Sequence, residues 1–505
     1  MNLSVREKGA VLNLPLQQPG AIYIDGAFVP PTEKRGEVVI NPATEEAIGE
    51  VAVGGVRDAD AAIAAAREAF DAGPWPRMSA RERIACLQKM YDVLEARADE
   101  ICELIVLEAG SVQSNAKARQ FDIPMKHFRR FLELGVREDV KALAPELTLG
   151  AGSVTVLGTA FVVRAPVGVV AAITPYNYPY FLNLVKVIPA LVTGNAVVLK
   201  PSPYTPFEGL VLAGAAAQAG LPKGVLNVIT GGLEVGERLT SDVRVDMVTF
   251  TGSDQVGAAI AAQSAPTLKR LVMELGGKSA LIVRSDASLK MALSQALRGF
   301  TSHAGQGCAM NTRVLVHNSI RRDFVDQLAT MARSVKVGDP RAADTEMGPL
   351  IRAAARERVE RYVALGLESG ARLMAGGRRP PHLTKGFYYE PTFFDDVDGR
   401  SAIAQDEIFG PVGVVIGFDT DDEAVAIAND SRFGLRGGIV SADVGRAFEM
   451  ARAIRTGGVT LNGGAGTQLS DGPFGGVKRS GYGRELGEDG LNEFTQTQLI
   501  EIQAG

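Results

Sequence analysis

From Val167 onward the chain alternates short, continuous apolar runs with helical stretches, and this alternation constrains the fold more than any other feature. VGVVAAI (167–173) precedes a helix through Leu184–Val192, and NAVVLK (195–200) precedes one through Leu210–Ala219. VLNVIT (225–230) is followed by a short helix and MVTF (247–250) by a helix through Ala258–Ala262, while LVMEL (271–275) and ALIV (280–283) close the series. Strands that are apolar at every position need cover on both faces, and intervening helices supply it. The pattern predicts an α/β protein with parallel sheets. A second α/β segment is expected from about Ser288 to Gly475, with strands RVLVH (313–317) and VGVVIGF (412–418) and helices near 319–335, 351–368 and 421–430. Upstream, Ala61, Ile63, Ala64 and Phe70, then Ile84, Leu87, Tyr91 and Leu94, recur at helical spacing within 57–109. LTLGAGSVTVLGTAFVVRAP (147–166) instead alternates around central glycines, as a protruding β-hairpin does.

A chain of 505 residues exceeds what one core organises, so more than one domain is expected. Its 53 basic and 58 acidic residues give a net charge of −5 without a basic block, which argues against nucleic acid as a partner. Cys86, Cys102 and Cys308 are too dispersed for a disulfide framework. The four histidines lack metal-ligand spacing, so no metal is expected. The opening segment carries Arg6, Glu7 and Lys8 where a secretory signal would be apolar. No run approaches the ~18 apolar residues of a membrane span. A cytoplasmic protein without a membrane partner is the expectation.

Several residues then stand out for chemistry. GAGSVT (150–155) has Thr155 where a dinucleotide fingerprint needs its third glycine, and it is rejected. FTGSDQVG (250–257) is better placed, between a strand and a helix, where Gly252 permits a tight turn and Ser253 faces a helix N-terminus suited to pyrophosphate. Taken alone it also fits an ordinary capped βα turn. Lys200 ends a strand, at the edge where open parallel sheets bind ligands, although a solvated loop lysine reads the same way. Cys308 lies in HAGQGCAMNTR (303–313), where small neighbours leave its sulfur approachable. An unperturbed thiol is only ~3% thiolate at pH ~7, so a nucleophile there needs help. Cys86 and Cys102 read as filler on apolar helix faces. His303 reads as a structural donor. Glu274 ends an apolar strand before Gly276 and Gly277, where burial makes a carboxyl tunable. Asn177, in TPYNYP (174–179), either closes a turn or donates to a developing oxyanion.

TPYNYP, LKPSP, FTGSDQVG, MELGGKS, GQGC, EIFGPV (407–412) and PFGGVKRSGYGRELG (473–487) occur in the order of the aldehyde dehydrogenases, which this chain resembles from about Tyr23 to its end. Glu274 and Cys308 are 308 − 274 = 34 positions apart, as in that family. The resemblance implies that Cys308 attacks an aldehyde to give a thiohemiacetal whose oxyanion is held by Asn177 and the Cys308 N–H. Hydride transfer then leaves a thioester, which Glu274 hydrolyses through an activated water, with Lys186 and Glu485 relaying protons. It implies NAD, with NADP possible, held at Ile173, Thr174, Pro175, Tyr176, Lys200, Pro203, Gly252, Ser253, Leu275, Gly276, Glu407 and Phe409. It divides the chain into a Rossmann-like cofactor domain (1–146 and 167–276), a catalytic domain (277–478), and a small β oligomerisation element (147–166 and 479–505) that implies a homodimer or homotetramer.

Three positions depart from the family. Pro203 stands where many members carry the Glu that chelates the adenosine ribose, Tyr176 replaces a usual Trp, and His303 replaces a usual Asn. An aldehyde tunnel is implied at Tyr178, Leu182, Val185, Gly307, Ala309 and Gln468. These six include no Arg or Lys, so an apolar aliphatic, terpenoid or aromatic aldehyde is expected rather than a dicarboxylic semialdehyde. A CoA-acylating dehydrogenase is the alternative enzyme, and its members tend to lack the glutamate. A crystallin-like structural relative is the alternative outside catalysis.

Overall fold

The computed structural model describes residues 5–7, 10–12, 18–137, 139–149, 155–464 and 466–504. Parts of the opening segment, and residues 150–154 of GAGSVT and of the predicted hairpin turn, lie outside them. Two large sheets organise the chain. In the first, the order runs Gly481–Tyr482, Arg270–Leu275, Met247–Gly252, Val169–Ile173, Ala196–Lys200, Leu226–Val228, Ile22–Ile24 and Ala27–Val29. Its five central strands are parallel. Val169–Ile173 and Ala196–Lys200 are buried at every position, as two-sided cover requires. The helix Pro179–Val192 opens on a proline at its first turn and is buried along nearly its whole length. Chain order reverses at Val169–Ile173, with later strands added first on one side and then on the other. That reversal leaves a crevice beyond the carboxyl ends of the Val169–Ile173 and Met247–Gly252 strands.

The second sheet is ordered Arg372–Ala375, Thr392–Asp395, Val412–Phe418, Arg313–His317, Ala280–Val283, Arg436–Val440 and Gly458–Leu461. Ala280–Val283 pairs with Arg313–His317 and Arg436–Val440, so it opens this sheet and does not close the first series. Both sheets use equally apolar strands, and periodicity cannot say to which sheet a four-residue run belongs. The chain crosses between them through Gly276 and Gly277. Glu146–Leu149 and Thr155–Pro166 pair antiparallel, as expected of a hairpin. Thr495–Ala504 pairs along the other edge of Thr155–Pro166. The structure divides the expected 479–505 tail: Gly481–Tyr482 joins the first sheet beside Met273 and Glu274, and from Thr495 the chain joins the hairpin. Among the described residues no helix is long and apolar enough to cross a membrane.

Under the first sheet two carboxyl groups meet in the core. Glu108 and Glu208 are each 0% exposed and close enough that the charge of Glu208 raises the pKa of Glu108, and Phe207 N–H donates to Glu108 Oε1 at 3.2 Å. Burial raises both, Glu208 to about 7 and Glu108 well above the ordinary carboxyl range. Because the folded pKa lies above the unfolded one, the pair's stabilisation is complete at low pH and is lost as pH rises through about 7. Glu208→Gln puts a group that does not titrate beside Glu108. The variant should melt above wild type near pH ~9 and differ less near pH ~5, as scanned by calorimetry. A melting difference that stays constant across that range would refute the raised pKa values.

Candidate active site

The crevice is furnished by the ends of four parallel strands. After Ile173 the chain continues through Thr174, Pro175 and Tyr176; Thr174 N–H donates to the Lys200 carbonyl at 3.1 Å, and Thr174 Oγ1 donates to Asn183 Oδ1 at 2.7 Å. Asn183 and Lys186 sit on the helix that follows, so the first crossover presents polar groups on an otherwise apolar rod. Lys200 is 7% exposed and its ammonium makes no hydrogen bond among the described residues; burial lowers its pKa to about 8, against the opposing charge of Glu37. Pro203 lies half-buried in the turn beyond it. Ser253 caps the Asp254–Ser264 helix, its Oγ accepting from Val256 N–H at 3.3 Å, while Gly252 before it packs so closely on Phe250 that a Cβ would come within 2.3 Å of the ring.

Glu407 and Phe409 reach this crevice from the second sheet's side. Gly277 N–H donates to Glu407 Oε1 at 3.0 Å, and a Cβ on Gly276 would lie 2.0 Å from Glu407 Oε2, so the carboxylate rests directly on the bare backbone after Leu275. Burial raises Glu407 to about 7. Arg358 clamps the segment by donating to the carbonyls of Glu407 and Ile408. Phe409 is held at φ +59°, a left-handed conformation that costs a bulky residue about 1–3 kcal/mol. Its ring meets Tyr176 edge-on at 6.1 Å.

Cys308 is half-buried and arrives on a strained turn. His303, Ala304 and Gly305 are all left-handed, with φ of +49°, +52° and +72°. Gly305 packs on the Gly410 carbonyl, 2.0 Å from where a Cβ would stand, which joins the Cys308 loop to the Glu407–Phe409 loop. A Cβ on Gly277 would likewise lie 2.8 Å from the Cys308 carbonyl. Gly277 therefore lets MELGG touch the Cys308 backbone, and Gly305 lets the same loop touch EIFGP. Asn177 is 4% exposed and its Nδ2 donates to the Gln306 carbonyl at 2.9 Å. That amide carries a second hydrogen, free to meet an oxyanion. Burial pushes the Cys308 thiol up to about 12, with the charges of Glu407, Glu274 and Glu485 acting in the same direction.

Glu274 is 2% exposed, and neither of its oxygens has a partner among the described residues. Burial first and Glu485 second hold it well above the ordinary carboxyl range, while Lys186 and Arg484 oppose them. A Cβ on Gly475 would stand 2.8 Å from Glu274 Oε1. Behind it, Lys186 and Glu485 form a buried ion pair at 2.5 Å, and Lys186 Nζ also donates to Thr249 Oγ1 at 3.1 Å. An orphaned carboxyl beside a thiol, backed by a buried proton-bearing pair, suits acyl chemistry with a water-activating base.

The profile of the aldehyde dehydrogenase family matches residues 28–500. The chain belongs to this family. It is 37% identical to a betaine aldehyde dehydrogenase of Bacillus subtilis, covering 95% of this chain and 96% of that protein. Its structure resembles betaine aldehyde dehydrogenase from Staphylococcus aureus in complex with NAD+, at TM-score 0.93 and 35% identity over 99% of this chain and 97% of that one. It also resembles a cysteine-to-alanine mutant of Aldehyde Dehydrogenase C from Pseudomonas syringae in complex with NAD+ and octanal, at TM-score 0.89 and 37% identity over 95% and 96% of the two chains.

For this aldehyde dehydrogenase the remaining candidates separate. Leu182 and Val185 pack with Leu486 in a small apolar cluster, joined by Tyr178, Phe181 and Phe474. Tyr178 also meets His303 edge-on at 5.3 Å. Gly307 and Ala309 flank Cys308, and Gly307 has no room for a Cβ beside Met310. Gln468 lies in a short turn whose carbonyls accept from Lys126 and His127, and the His127 ring lies 6.1 Å from that of Phe181. His303 bonds to the Asn177 backbone, and burial lowers its pKa to about 4, so it is neutral at physiological pH. Sequence reasoning left Gln306 without a role. It is fully buried, with Nε2 donating to the His303 and Pro349 carbonyls, Oε1 accepting from Ile351, and its carbonyl accepting from Asn177. Its position between two glycines just before the cysteine was the available signal. Lys278 is a second omission: it is 2% exposed with no partner for Nζ among the described residues, and burial lowers it to about 7.

Proposed function

We propose that this enzyme oxidises an aldehyde with a largely apolar body to the free carboxylic acid, using NAD, through covalent adducts on Cys308. The observation that carries the reading is Glu274: a buried carboxyl without a partner, beside the nucleophile loop, with the Lys186–Glu485 pair behind it. The Cys308 thiol gives its proton to the ionised form of Glu274, which passes it to Lys186 and Glu485, as the sulfur adds to the aldehyde carbonyl, and the free Asn177 amide hydrogen meets the oxyanion. NAD, when bound, accepts the hydride released as the tetrahedral carbon becomes a thioester. The polar fittings of the crevice suit that cofactor: Lys200 and Glu407 are hydroxyl partners for the two riboses, the Ser253 helix N-terminus meets pyrophosphate, and Gly252 and Gly276 admit it closely. Leu275, Ile173, Thr174, Pro175 and Tyr176 form the walls, and Phe409 backs the ring. Glu274 then takes a proton from water as it attacks the thioester, and Lys186 and Glu485 carry that proton away. Tyr178, Leu182, Val185, Phe181 and Phe474 supply an apolar surface for the substrate body. Leu499, Ile500 and Ile502 are exposed on the tail strand, which supports a homodimer or homotetramer.

The direct test incubates the purified protein with NAD and an aldehyde panel and measures NADH against free acid. Equal amounts without CoA are expected; a strict CoA requirement would replace hydrolysis with acylation. Cofactor choice gives a further prediction. With Pro203 in place of a carboxylate, the adenosine 2′-phosphate of NADP meets no new negative charge there, so NADP should be used measurably. Pro203→Glu should raise KM for NADP by about tenfold and KM for NAD much less. Equal changes would show Pro203 to be remote from the ribose.

A further inference from the structure

Among the described residues, Arg436 is a cation near the nucleophile loop whose guanidinium has no ion pair. Arg436 opens the strand Arg436–Val440 and pairs with Gly458 on the neighbouring strand. A Cβ on Gly458 would come within 2.3 Å of Arg436 Nη1, so the absence of a side chain there is what makes room for the guanidinium. Two residues along, on the same face, a Cβ on Gly438 would lie 3.0 Å from Asn311 Nδ2. This face of the two strands therefore looks onto the loop that carries Cys308. The guanidinium carbon lies 5.7 Å from the centre of the Phe474 ring, and Phe474 packs with Leu182, Val185 and Leu486. Among the described residues the guanidinium has no hydrogen bond and no ion pair; the backbone N–H of Arg436 donates to Ser279 Oγ.

Three other arginines near the site are occupied. Arg313 donates to the carbonyls of Lys278, Ile427 and Ala428, and Arg484 to those of Gly476 and Gly483. Arg358 donates to those of Glu407 and Ile408. Arg436 is partly buried, burial lowers its pKa, and the one charge acting on it is that of Cys308. A contact with one aromatic face offsets only a small part of that desolvation. Partial desolvation of a guanidinium without an acceptor is better offset by a ligand that brings one.

We propose that Arg436 is a specificity-determining residue that binds a carboxylate on the aldehyde substrate. On this reading, which rests on the dehydrogenase function above, the substrate is an apolar chain or ring with the aldehyde at one end and a carboxylate at the other. The body lies against Phe474 and its apolar neighbours, and the planar guanidinium takes the carboxylate in a two-point contact. A single unpaired guanidinium fits a monoanion. This revises the expectation that no cation serves the tunnel, because Arg436 lies 436 − 308 = 128 positions beyond the nucleophile and reaches it only through the sheet.

The test uses matched pairs: adipate semialdehyde against hexanal, and terephthalaldehydic acid against para-tolualdehyde, each oxidised with NAD. Wild-type kcat/KM should favour the carboxylate member of at least one pair by about tenfold or more. Arg436→Met should bring that ratio close to unity, mainly through KM of the carboxylate member, and Arg436→Lys should restore part of it. Adipate should inhibit wild-type hexanal oxidation competitively, a readout independent of how any variant folds. A wild-type ratio at or below one in both pairs, or no inhibition by adipate, overturns the proposal. So does a Met variant that weakens both members equally, which would make Arg436 a support for Cys308 or for packing. If wild type oxidises none of the four, the dehydrogenase reading fails and this proposal falls with it.

Discussion

Cys308→Ala should abolish aldehyde oxidation, lowering kcat by about a thousandfold or more, while the folded protein still binds NAD. The loss is large because no other group can form the covalent adduct. Cofactor binding is expected to survive because the proposed contacts, at Lys200, Ser253 and Glu407, lie on other segments. Cys86 and Cys102 are packed against the core of the first sheet and its helices. Burial raises Cys102 to about 11, which leaves it an inert thiol at neutral pH. Alanine at either position should leave kcat nearly unchanged. Steady-state kinetics with a dinucleotide-binding titration checks both halves. More than a few per cent of wild-type kcat in the Cys308 variant would remove Cys308 as nucleophile.

Glu274→Gln should stall the reaction after hydride transfer. Glutamine keeps the shape and cannot accept the proton from water, and general-base catalysis of this kind is worth ~10²–10⁴-fold. The variant should release up to one NADH per active site and then nearly stop. Mass spectrometry of the quenched protein should show an acyl group on the Cys308 peptide. Because Glu274 also accepts the Cys308 proton, the burst will be slower, so amplitude is the sounder measure. The pH dependence has a definite sign. Burial holds Glu274 protonated above the ordinary carboxyl range, and only the ionised form is a base. Wild-type deacylation should therefore rise toward alkaline pH, and the variant should lose that limb. A variant that turns over steadily without a burst would assign water activation to another group.

Much of the site was legible because its chemistry sits at the ends of strands, where local sequence alone marks the strand, the stop and the exposed residue. Ile173, Lys200, Gly252 and Glu274 each close an apolar run, and parallel strands bring such ends to one edge. The resemblance extended this to Lys186 and Glu485, whose pairing across 299 positions no local pattern announces. Gln306 was passed over because its role lies in hydrogen bonds to the distant backbone of Pro349 and Ile351 and in accepting from the Asn177 amide. Gln468 was included by alignment, and its turn rests on Lys126 and His127, contacts that no local pattern announces.

By itself, the sequence determined the alternating α/β architecture, the crevice at the strand ends, and the residue types that meet there. Those follow from hydrophobic periodicity and backbone chemistry, which act over a few residues. Only the tertiary structure decided which sheet receives Ala280–Val283, since both sheets offer equally apolar neighbours. It also decided that Glu274 lacks a hydrogen-bond partner among the described residues, and that three left-handed residues set the approach to Cys308. Arg436 stands beside Phe474 without a carboxylate, in space that Gly458 leaves open. Pairing, desolvation and strain depend on what the rest of the chain brings within a few ångströms, and that is set only when distant segments pack.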